Sequence, residues 1–304
     1  MTTTTTTTAT TNTTESSSSM TALTTTSALD ASTAHRNANA DRPAIRTRRD
    51  DAVALPATLR SEWIKFWSIR SNPAILALTA IIGVAMSMIL ATLVKTDPYT
   101  DETFTIVHTF IVSTWFSAIL AAITGTLLFT SEVQHGTLAN SIAAQPARWV
   151  TVGAKVTLAA GFGFVLAATG MIAGLGGAVL GGLETGDTTS ITSTVLWGLL
   201  LPSLAAIFGL GVGMIIRHSA AAISILLVWA FVVENIIRSV APANFSRFLP
   251  FSAANGLLGL RSAGDTPATL AAALSRPQDA VVFAAYSVGA LVAGTVLLYR
   301  QDTA

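Results

Sequence analysis

The stretch that decides the fold of this 304-residue chain reads Ser131-Glu-Val-Gln-His-Gly-Thr-Leu-Ala-Asn-Ser-Ile-Ala-Ala-Gln-Pro-Ala-Arg-Trp-Val-Thr-Val-Gly-Ala-Lys155. It is polar and charged, and it separates two apolar runs, residues 104–129 and 156–180. Each run exceeds the roughly 20 residues that an α-helix needs to cross a bilayer. The sequence therefore predicts a membrane protein in which this segment folds at the membrane surface.

The overall composition supports the same class. Half of the residues (51%) are hydrophobic and only 11% are charged, whereas soluble domains carry about 25% charged residues. The net charge of +1 gives no reason to expect a nucleic-acid partner. The chain has no cysteine, which excludes disulfides, thiol catalysis and cysteine-ligated metal.

Hydropathy predicts an all-α membrane protein with six transmembrane helices. In the third span, Gly170 and Gly174 have the spacing that lets membrane helices approach closely. In the fourth span, Pro202 predicts a kink. The predicted spans are about 73–94, 104–129, 156–180, 194–216, 220–237 and 280–298.

The N-terminal region differs in composition from everything that follows. Residues 1–55 are rich in threonine, serine and alternating charges and show no apolar periodicity. Such a segment cannot bury enough surface to offset the entropy lost on ordering. We therefore predict a disordered tail over 1–55 and a six-helix membrane domain over 56–304.

A short amphipathic segment precedes the first span. Leu59, Trp63, Phe66 and Trp67 fall on one helical face, with the charged residues mostly elsewhere. This pattern favours a helix that lies in the membrane interface, although an ordinary basic segment flanking a span is the alternative. The predicted interfacial helix contains Glu62, Trp63, Lys65, Trp67 and Arg70.

Two connections between the later spans are distinctive. The linker Arg217-His218-Ser219 is so short that it predicts a tight hairpin of the fourth and fifth spans. The connection 238–279 is long and contains an apolar piece, 249–260, that is too short to span. We expect this piece to be re-entrant or to lie on the membrane surface.

The distribution of lysine and arginine predicts the orientation of the chain. Six spans place both termini on one side, and cations mark the cytoplasmic side. Short connections on the other side are acidic, whereas Arg238, Arg247, Arg261 and Arg276 lie in the long last loop, which weighs less in this rule. We therefore predict a multi-pass plasma-membrane protein whose termini, 131–155 segment and 217–219 linker are cytoplasmic.

Sites for chemistry of its own are not evident in the sequence. None of Lys65, Lys95 and Lys155 lies in a Gly-x-x-x-x-Gly-Lys-Ser/Thr loop, the loop that cradles nucleotide phosphates. Glu132 and His135 have the Glu-x-x-His spacing, but an iron site would need further carboxylates from other helices. We expect no enzymatic activity, bound cofactor or metal site in this chain.

Polar residues inside the predicted spans are candidates for a pathway or gate. They are His108, Glu234, Asn235 and Arg238. A bland alternative exists for each group: His108 is close enough to a span end to be interfacial, and Glu234 with Arg238 has the spacing of a structural i,i+4 pair.

Two motifs together resemble a known family. The segment Glu132-x-x-x-Gly136-Thr137-Leu138, followed by Pro146-x-Arg148 and Ala154-Lys155, resembles the loop after the second span in permease subunits of type-2 ABC exporters. The opening segment Arg60-Ser-Glu62-Trp63-x-Lys65-x-x-Ser68-x-Arg70-Ser71 resembles the amphipathic helix that begins the same family. The resemblance covers about residues 58–300.

This resemblance implies a function and partners. A separate ABC ATPase would bind ATP and Mg²⁺, and a second permease subunit, identical or related, would complete the pathway. The loop would form a coupling helix docked on the ATPase, with Gly136 permitting a turn, Thr137 capping the next helix and Glu132 supplying charge or a hydrogen bond at the contact. The implied coupling residues are Glu132, His135, Gly136, Thr137, Pro146, Arg148 and Lys155.

Several alternatives stay open at this stage. Arg148 and Lys155 suit contacts to carboxylates or lipid phosphates, or plain anchoring at the cytoplasmic surface. A secondary transporter driven by an ion gradient, or a membrane sensor or assembly protein, would also fit a six-span chain. Drugs, lipids, peptide antibiotics and polymers are all possible substrates.

Overall fold

A computed structural model describes residues 48–68, 71–96, 106–137, 148–183, 191–260 and 267–301. The chain divides into two units, Met1–Asp51 and Ala52–Ala304, and the description below concerns the second unit and the helix that leads into it. The predicted disordered tail lies outside the described residues up to residue 47. A helix begins at Arg48 and continues to Ser68, so the predicted end of the disordered tail at residue 55 comes too late.

The described residues are helical, with turns between the helices and no strand among them. In chain order the α-helices are α1 Arg48–Ser68, α2 Ser71–Thr96, α3 Ile106–Gln134, α4 Arg148–Leu180, α5 Ile191–Ile216, α6 Ser219–Val228, α7 Glu234–Val240, α8 Ala243–Ser246, α9 Pro250–Leu258, α10 Pro267–Ala271 and α11 Arg276–Gln301.

Among the described residues, six helical segments are long and apolar enough to cross a membrane, which confirms the predicted number of spans. A π-helical turn, Trp229–Val233, joins α6 and α7 into one of them. The six segments are Ser71–Leu93, Ile111–Gln134, Trp149–Leu180, Ile191–Ile216, Ser219–Val240 and Arg276–Arg300.

The helices around the 131–155 segment are longer than hydropathy indicates. Helix α3 continues to Gln134 and α4 begins at Arg148. Glu132 and Lys155 therefore lie within helices and not in a loop, Lys155 about two turns into α4. The predicted span bounds at residues 129 and 156 are too short because charged side chains lower the hydropathy of a helix end without breaking the helix when they find partners.

Helix α3 is the centre of the bundle and packs against α2, α4, α5, α6 and α9. Its buried positions are largely alanine, serine and threonine, which allow close approach from several sides. The hydroxyls are satisfied by backbone carbonyls: Thr126 Oγ1 lies 2.9 Å from Ala122 O and 3.0 Å from Gly209 O on α5. Hydrogen bonds between helices are the form of stabilisation that a bilayer does not weaken.

Glycines mark the places where α4 approaches its neighbours most closely. Gly170 and Gly174 face Ser117 and Ser113 of α3, with no room for a Cβ atom, which confirms the close packing predicted from their spacing. Gly163 lies in the same way against the backbone carbonyl of Pro202. Helix α5 is continuous through Pro202, and a kink there stays a prediction.

The fifth span begins in a tight hairpin and changes pitch near its end. Only Arg217 and His218 separate α5 from α6, and the two helices pack together, which confirms the predicted hairpin. His218 Nδ1 accepts the Ala221 N–H at 3.3 Å and so caps α6. The π-helical turn follows α6, and the Glu234 N–H bonds to Trp229 O.

The apolar piece predicted within residues 249–260 forms the short helix α9. At nine residues it is about 14 Å long, too short to cross a membrane. Ala253, Leu257 and Leu258 are fully or almost fully buried, and α9 packs against α11, α5 and α3. This burial contradicts a surface-lying position and leaves the re-entrant alternative.

Two glycines on α4 test the close packing directly. A Cβ added at Gly163 would overlap the Pro202 carbonyl, whereas one at Gly161 meets nothing within 4 Å. We expect Gly163→Ala to destabilise the purified protein by about 1–3 kcal/mol, as overpacking does, relative to Gly161→Ala, which changes helix propensity equally. Equal thermal unfolding midpoints for the two variants in detergent would contradict this packing.

Candidate functional site

Beneath the end of α3, three helices meet at a buried lysine. Lys155 Nζ on α4 lies 2.7 Å from Glu62 Oε2 on α1 and 2.7 Å from Glu132 Oε1 on α3. The side chains of Lys155 and Glu62 are each 3% exposed and that of Glu132 is 13% exposed. We call these three residues, together with Lys65, the charge cluster.

Lys65 closes the cluster on its outer side. Its ammonium lies 2.8 Å from Glu62 Oε1 and 3.8 Å from Glu132 Oε1, and its side chain is 47% exposed. Two ammonium groups thus face two carboxylates, so the cluster is formally neutral. Neutrality and short hydrogen bonds are what permit charged groups to be buried. The second oxygen of Glu132, Oε2, is buried without a hydrogen-bond partner among the described residues.

An aromatic contact fixes α1 over the cluster. Glu62 and Phe66 are four residues apart and share one face of α1. Phe66 is 3% exposed, and its ring packs on Phe162 of α4 with centroids 4.5 Å apart. This contact places Glu62 directly above Lys155, which lies seven residues, about two turns, before Phe162 on α4.

The predicted division of α1 into an aromatic and a charged face is therefore wrong. Glu62 lies on the buried face with Phe66, while Trp63 and Trp67 are 48% and 39% exposed. Helical spacing shows that the aromatic residues lie on one side of α1. It does not show which of them pack against the bundle. An interfacial position for α1 stays a prediction that the exposed tryptophans suit. Arg70 lies outside the described residues.

Ionisation of the cluster follows from its geometry. Burial by itself would raise the pKa of Glu62, but attraction and hydrogen bonding from Lys155, then Lys65, hold that pKa below its ordinary value of 4.5. For Lys65, desolvation acts to lower the pKa, and the bond to Glu62 with the attraction of Glu62 and Glu132 outweighs it, so the pKa is raised above 10.5. Both groups are therefore charged at neutral pH.

Helix α3 ends above the cluster in a hydrogen-bonded turn. Gly136 has φ +68°, the left-handed conformation that glycine adopts without strain. The Thr137 N–H bonds to Glu132 O at 3.0 Å and the Gly136 N–H to Val133 O at 3.2 Å, the pair of bonds that defines a Schellman motif. The residue implied to permit a turn is thus at the turn itself.

The side chains of this turn face outward. His135, Gly136 and Thr137 are exposed, and His135 Nδ1 lies 2.7 Å from Ser131 O. The Thr137 hydroxyl donates back to Glu132 O at 3.4 Å; the helix that Thr137 was expected to cap falls in 138–147, outside the described residues, as does Pro146. We call 135–137 the exposed turn.

The remaining residues of the predicted coupling set have different surroundings. Arg148 is the first residue of α4, and its side chain lies outside the described residues. Lys155 does contact carboxylates, as expected for one of its alternatives, but they belong to this chain and the lysine is buried. This pairing leaves the Lys155 ammonium turned away from lipid phosphate, and an anchoring role stays a prediction. Ser219 Oγ donates to Gln134 Oε1 at 2.9 Å, which places the α5–α6 linker beside the exposed turn.

The four predicted pathway or gate residues are not brought together as one site. Glu234 is 2% exposed, and its carboxylate accepts the backbone N–H groups of Phe251, at 3.0 Å, and Ser252. It thereby caps the N-terminus of α9. Asn235 bonds to Phe231 O on its own helix, Arg238 lines a cavity described below, and His108 is in the first turn of α3 with its side chain outside the described residues.

The pairing of Glu62 with Lys155 is the feature that sequence reasoning missed. The two residues are 93 positions apart, so no local pattern joins them. The signal in the sequence that could have indicated a buried Glu62 is its position one helical turn before Phe66. Among the described residues, no group of three or more His, Cys, Asp or Glu could hold a metal ion.

Comparison with known proteins adds no relatives: no family model matches the chain, and no curated protein matches it significantly.

Removal of the buried ammonium tests the cluster. Lys155→Met would leave two buried carboxylates without their shared partner, and we expect a loss of about 3–5 kcal/mol in unfolding free energy. Lys65→Met is the control, since an exposed pair is worth about 0–1 kcal/mol. Similar thermal unfolding midpoints for the two variants would contradict a central role of Lys155.

The pKa of Glu62 predicts a pH dependence. Because that pKa is lower in the folded protein, its contribution to stability is present above pH 4.5 and is lost as the pH falls through the folded value. We expect acidification from pH 7 to below 4 to lower the unfolding midpoint of the native chain more than that of Glu62→Gln. Parallel midpoint curves for the two proteins would show that Glu62 is not the group that titrates.

Proposed function

We propose that this chain is the transmembrane permease subunit of an ATP-binding cassette exporter. Six membrane-spanning helices, the two family-like motifs and the lack of a phosphate-cradling loop in the sequence support this function. A separate ABC ATPase binds ATP and Mg²⁺, and two permease subunits, identical or related, enclose the substrate pathway.

The observation that carries the proposal is the exposed turn fixed above the charge cluster. The turn is accessible, and its backbone is held to α3 by the Schellman bonds. Directly beneath it, Glu132 is tied to α4 through Lys155 and to α1 through the same lysine. A partner bound at the turn therefore pushes on three helices that are linked to one another.

This linkage suggests how the two subunits are coupled. ATP binding moves the ATPase surface, and the turn moves with it. Because α1, α3 and α4 are joined by short charged bonds in a largely buried site, the displacement is carried to all three and is not absorbed by a flexible loop. Glu132 acts here as a positioning residue, since its Oε1 is engaged by Lys155.

The proposed orientation follows from the distribution of lysine and arginine in the sequence. The termini, the exposed turn and the 217–219 linker face the cytoplasm of a cell whose plasma membrane holds the protein. The bond between Ser219 and Gln134 supports placing both connections on one side, where an ATPase can contact them together.

A secondary transporter is the weaker alternative. Ion-coupled transport needs acids or broken helices near mid-membrane. Glu234 is the acid considered for that role, but its carboxylate already accepts hydrogen bonds from the N-terminus of α9. A sensor or assembly function has no described feature in its favour.

Co-purification tests the proposed function. We expect the chain, purified from its native membranes in mild nonionic detergent, to be isolated as a complex with an ATPase subunit that hydrolyses ATP. Isolation of the chain without any ATPase that carries a phosphate-cradling loop, under conditions that keep it folded, would overturn the proposal.

Two substitutions at Gly136 test the turn. Gly136→Val places a β-branched residue at positive φ, which costs about 1–2 kcal/mol and corresponds to roughly a 5- to 30-fold weaker contact with the ATPase. Gly136→Asn is the matched control, because asparagine tolerates this conformation. Both variants should insert into the membrane normally. Equal ATPase binding and stimulation by both would show that the turn is not the contact.

A further inference from the structure

A second feature lies at the opposite end of α3 from the charge cluster. An open cavity of about 770 Å³ is lined by the first half of α3, by α7 to α10 and by the start of α11. Trp115 in its wall is 17 residues before Glu132, about 25 Å away along the helix. The cavity is thus separated from the charge cluster by most of the membrane-spanning length, and its volume is within the range of ligand-binding sites.

The charges in the cavity wall are mostly positive. Three arginines from different elements converge there, Arg238 of α7, Arg247 after α8 and Arg276 at the start of α11. Asp279 is the single acid among the described lining residues. The wall therefore favours an anionic group over a cationic one.

Hydrogen bonds within the chain leave part of this polar wall available. Arg276 Nη1 is 3.4 Å from both Ser193 Oγ and Thr194 Oγ1, at the long limit for such bonds. Arg247 donates through Nη1 to Ala272 O at 3.3 Å, and its Nε has no hydrogen-bond partner among the described residues. Buried polar groups of this kind usually bond to something.

The other side of the cavity is apolar and aromatic. Trp115 donates its Nε1–H to Asn255 Oδ1 at 2.8 Å and packs edge-on against Phe116 and Phe231, with ring centroids 5.5 and 5.4 Å away. These contacts fix the indole as a wall. Val112, Leu270 and Leu274 complete the apolar side.

We propose that this cavity is a binding site for an anionic amphiphile. The acidic head, a phosphate or a group of similar charge, lies among Arg238, Arg247 and Arg276, and the apolar part lies against Trp115 and Phe116. A free inorganic anion would leave the large aromatic side empty, and a neutral apolar molecule would make no use of the positive charge of the wall. This inference goes beyond the proposed coupling function and does not depend on an ATPase.

Calorimetric titration of the purified full-length chain in nonionic detergent tests the proposal. The probes are short-chain phosphatidylglycerol, phosphatidylcholine of equal chain length, and inorganic phosphate. We expect phosphatidylglycerol to bind at least about tenfold more tightly than either of the others, as one or two charge-assisted hydrogen bonds would give. Equal binding of the two lipids would overturn the charge selectivity, and phosphate binding as tightly as phosphatidylglycerol would overturn the amphiphile.

Variants then locate the bound lipid. Arg247→Gln and Arg276→Gln should each weaken phosphatidylglycerol binding roughly tenfold. Arg300→Gln, the same change at the exposed far end of α11, should leave it unchanged. Ala273→Trp, at an exposed position in the cavity wall, should block binding by filling the space without disturbing the core. Unchanged affinity in Ala273→Trp and both cavity arginine variants, with unaltered unfolding midpoints, would place the lipid elsewhere and overturn the site.

Discussion

A lysine ammonium held between two carboxylates, almost out of contact with water, is the interaction on which the rest of this structure depends. Lys155, Glu62 and Glu132 come from three helices and from distant parts of the chain. Loss of any one would leave an uncompensated buried charge, so each fixes the other two. The position of α1 on the bundle, the rotation of α4 about its axis and the height of the turn after α3 are set by the same few bonds.

How much of this the sequence could predict depended on the range of the interaction. Hydropathy is sufficient to predict six spans, and the spacing of Gly170 and Gly174 is sufficient to predict close helix packing. Both signals are local properties of one segment of the sequence. The start of α4 was placed too late because Lys155 looks like a loop residue until its partners are known. The buried face of α1 was misjudged because Phe66 and Trp67 are adjacent, and a rotation of about 100° decides which one packs inward.

Polar residues in the spans illustrate the same limit. Glu234 stood out by its position, but its role as the cap of α9 requires the fold of a connection that follows it in sequence. Arg247 and Arg276 were noticed as exceptions to the charge distribution of the loops; their convergence on one cavity follows from the packing of α7 to α11. Helix α3 joins these two regions, with the charge cluster near its end and the cavity wall near its beginning.

The π-helical turn at Trp229–Val233 has a consequence for the fifth span as a whole. A π-helical turn contains one residue more than an α-helical turn. The side chains of α7 are therefore rotated by about 100° about the helix axis relative to those of α6. The face that α6 presents to α3 and α5 is therefore not continued by α7, and Glu234 points at α9. A regular α-helix of the same sequence could make either the contacts of α6 with α3 and α5 or the contact of Glu234 with α9. The extra residue allows one span to make both.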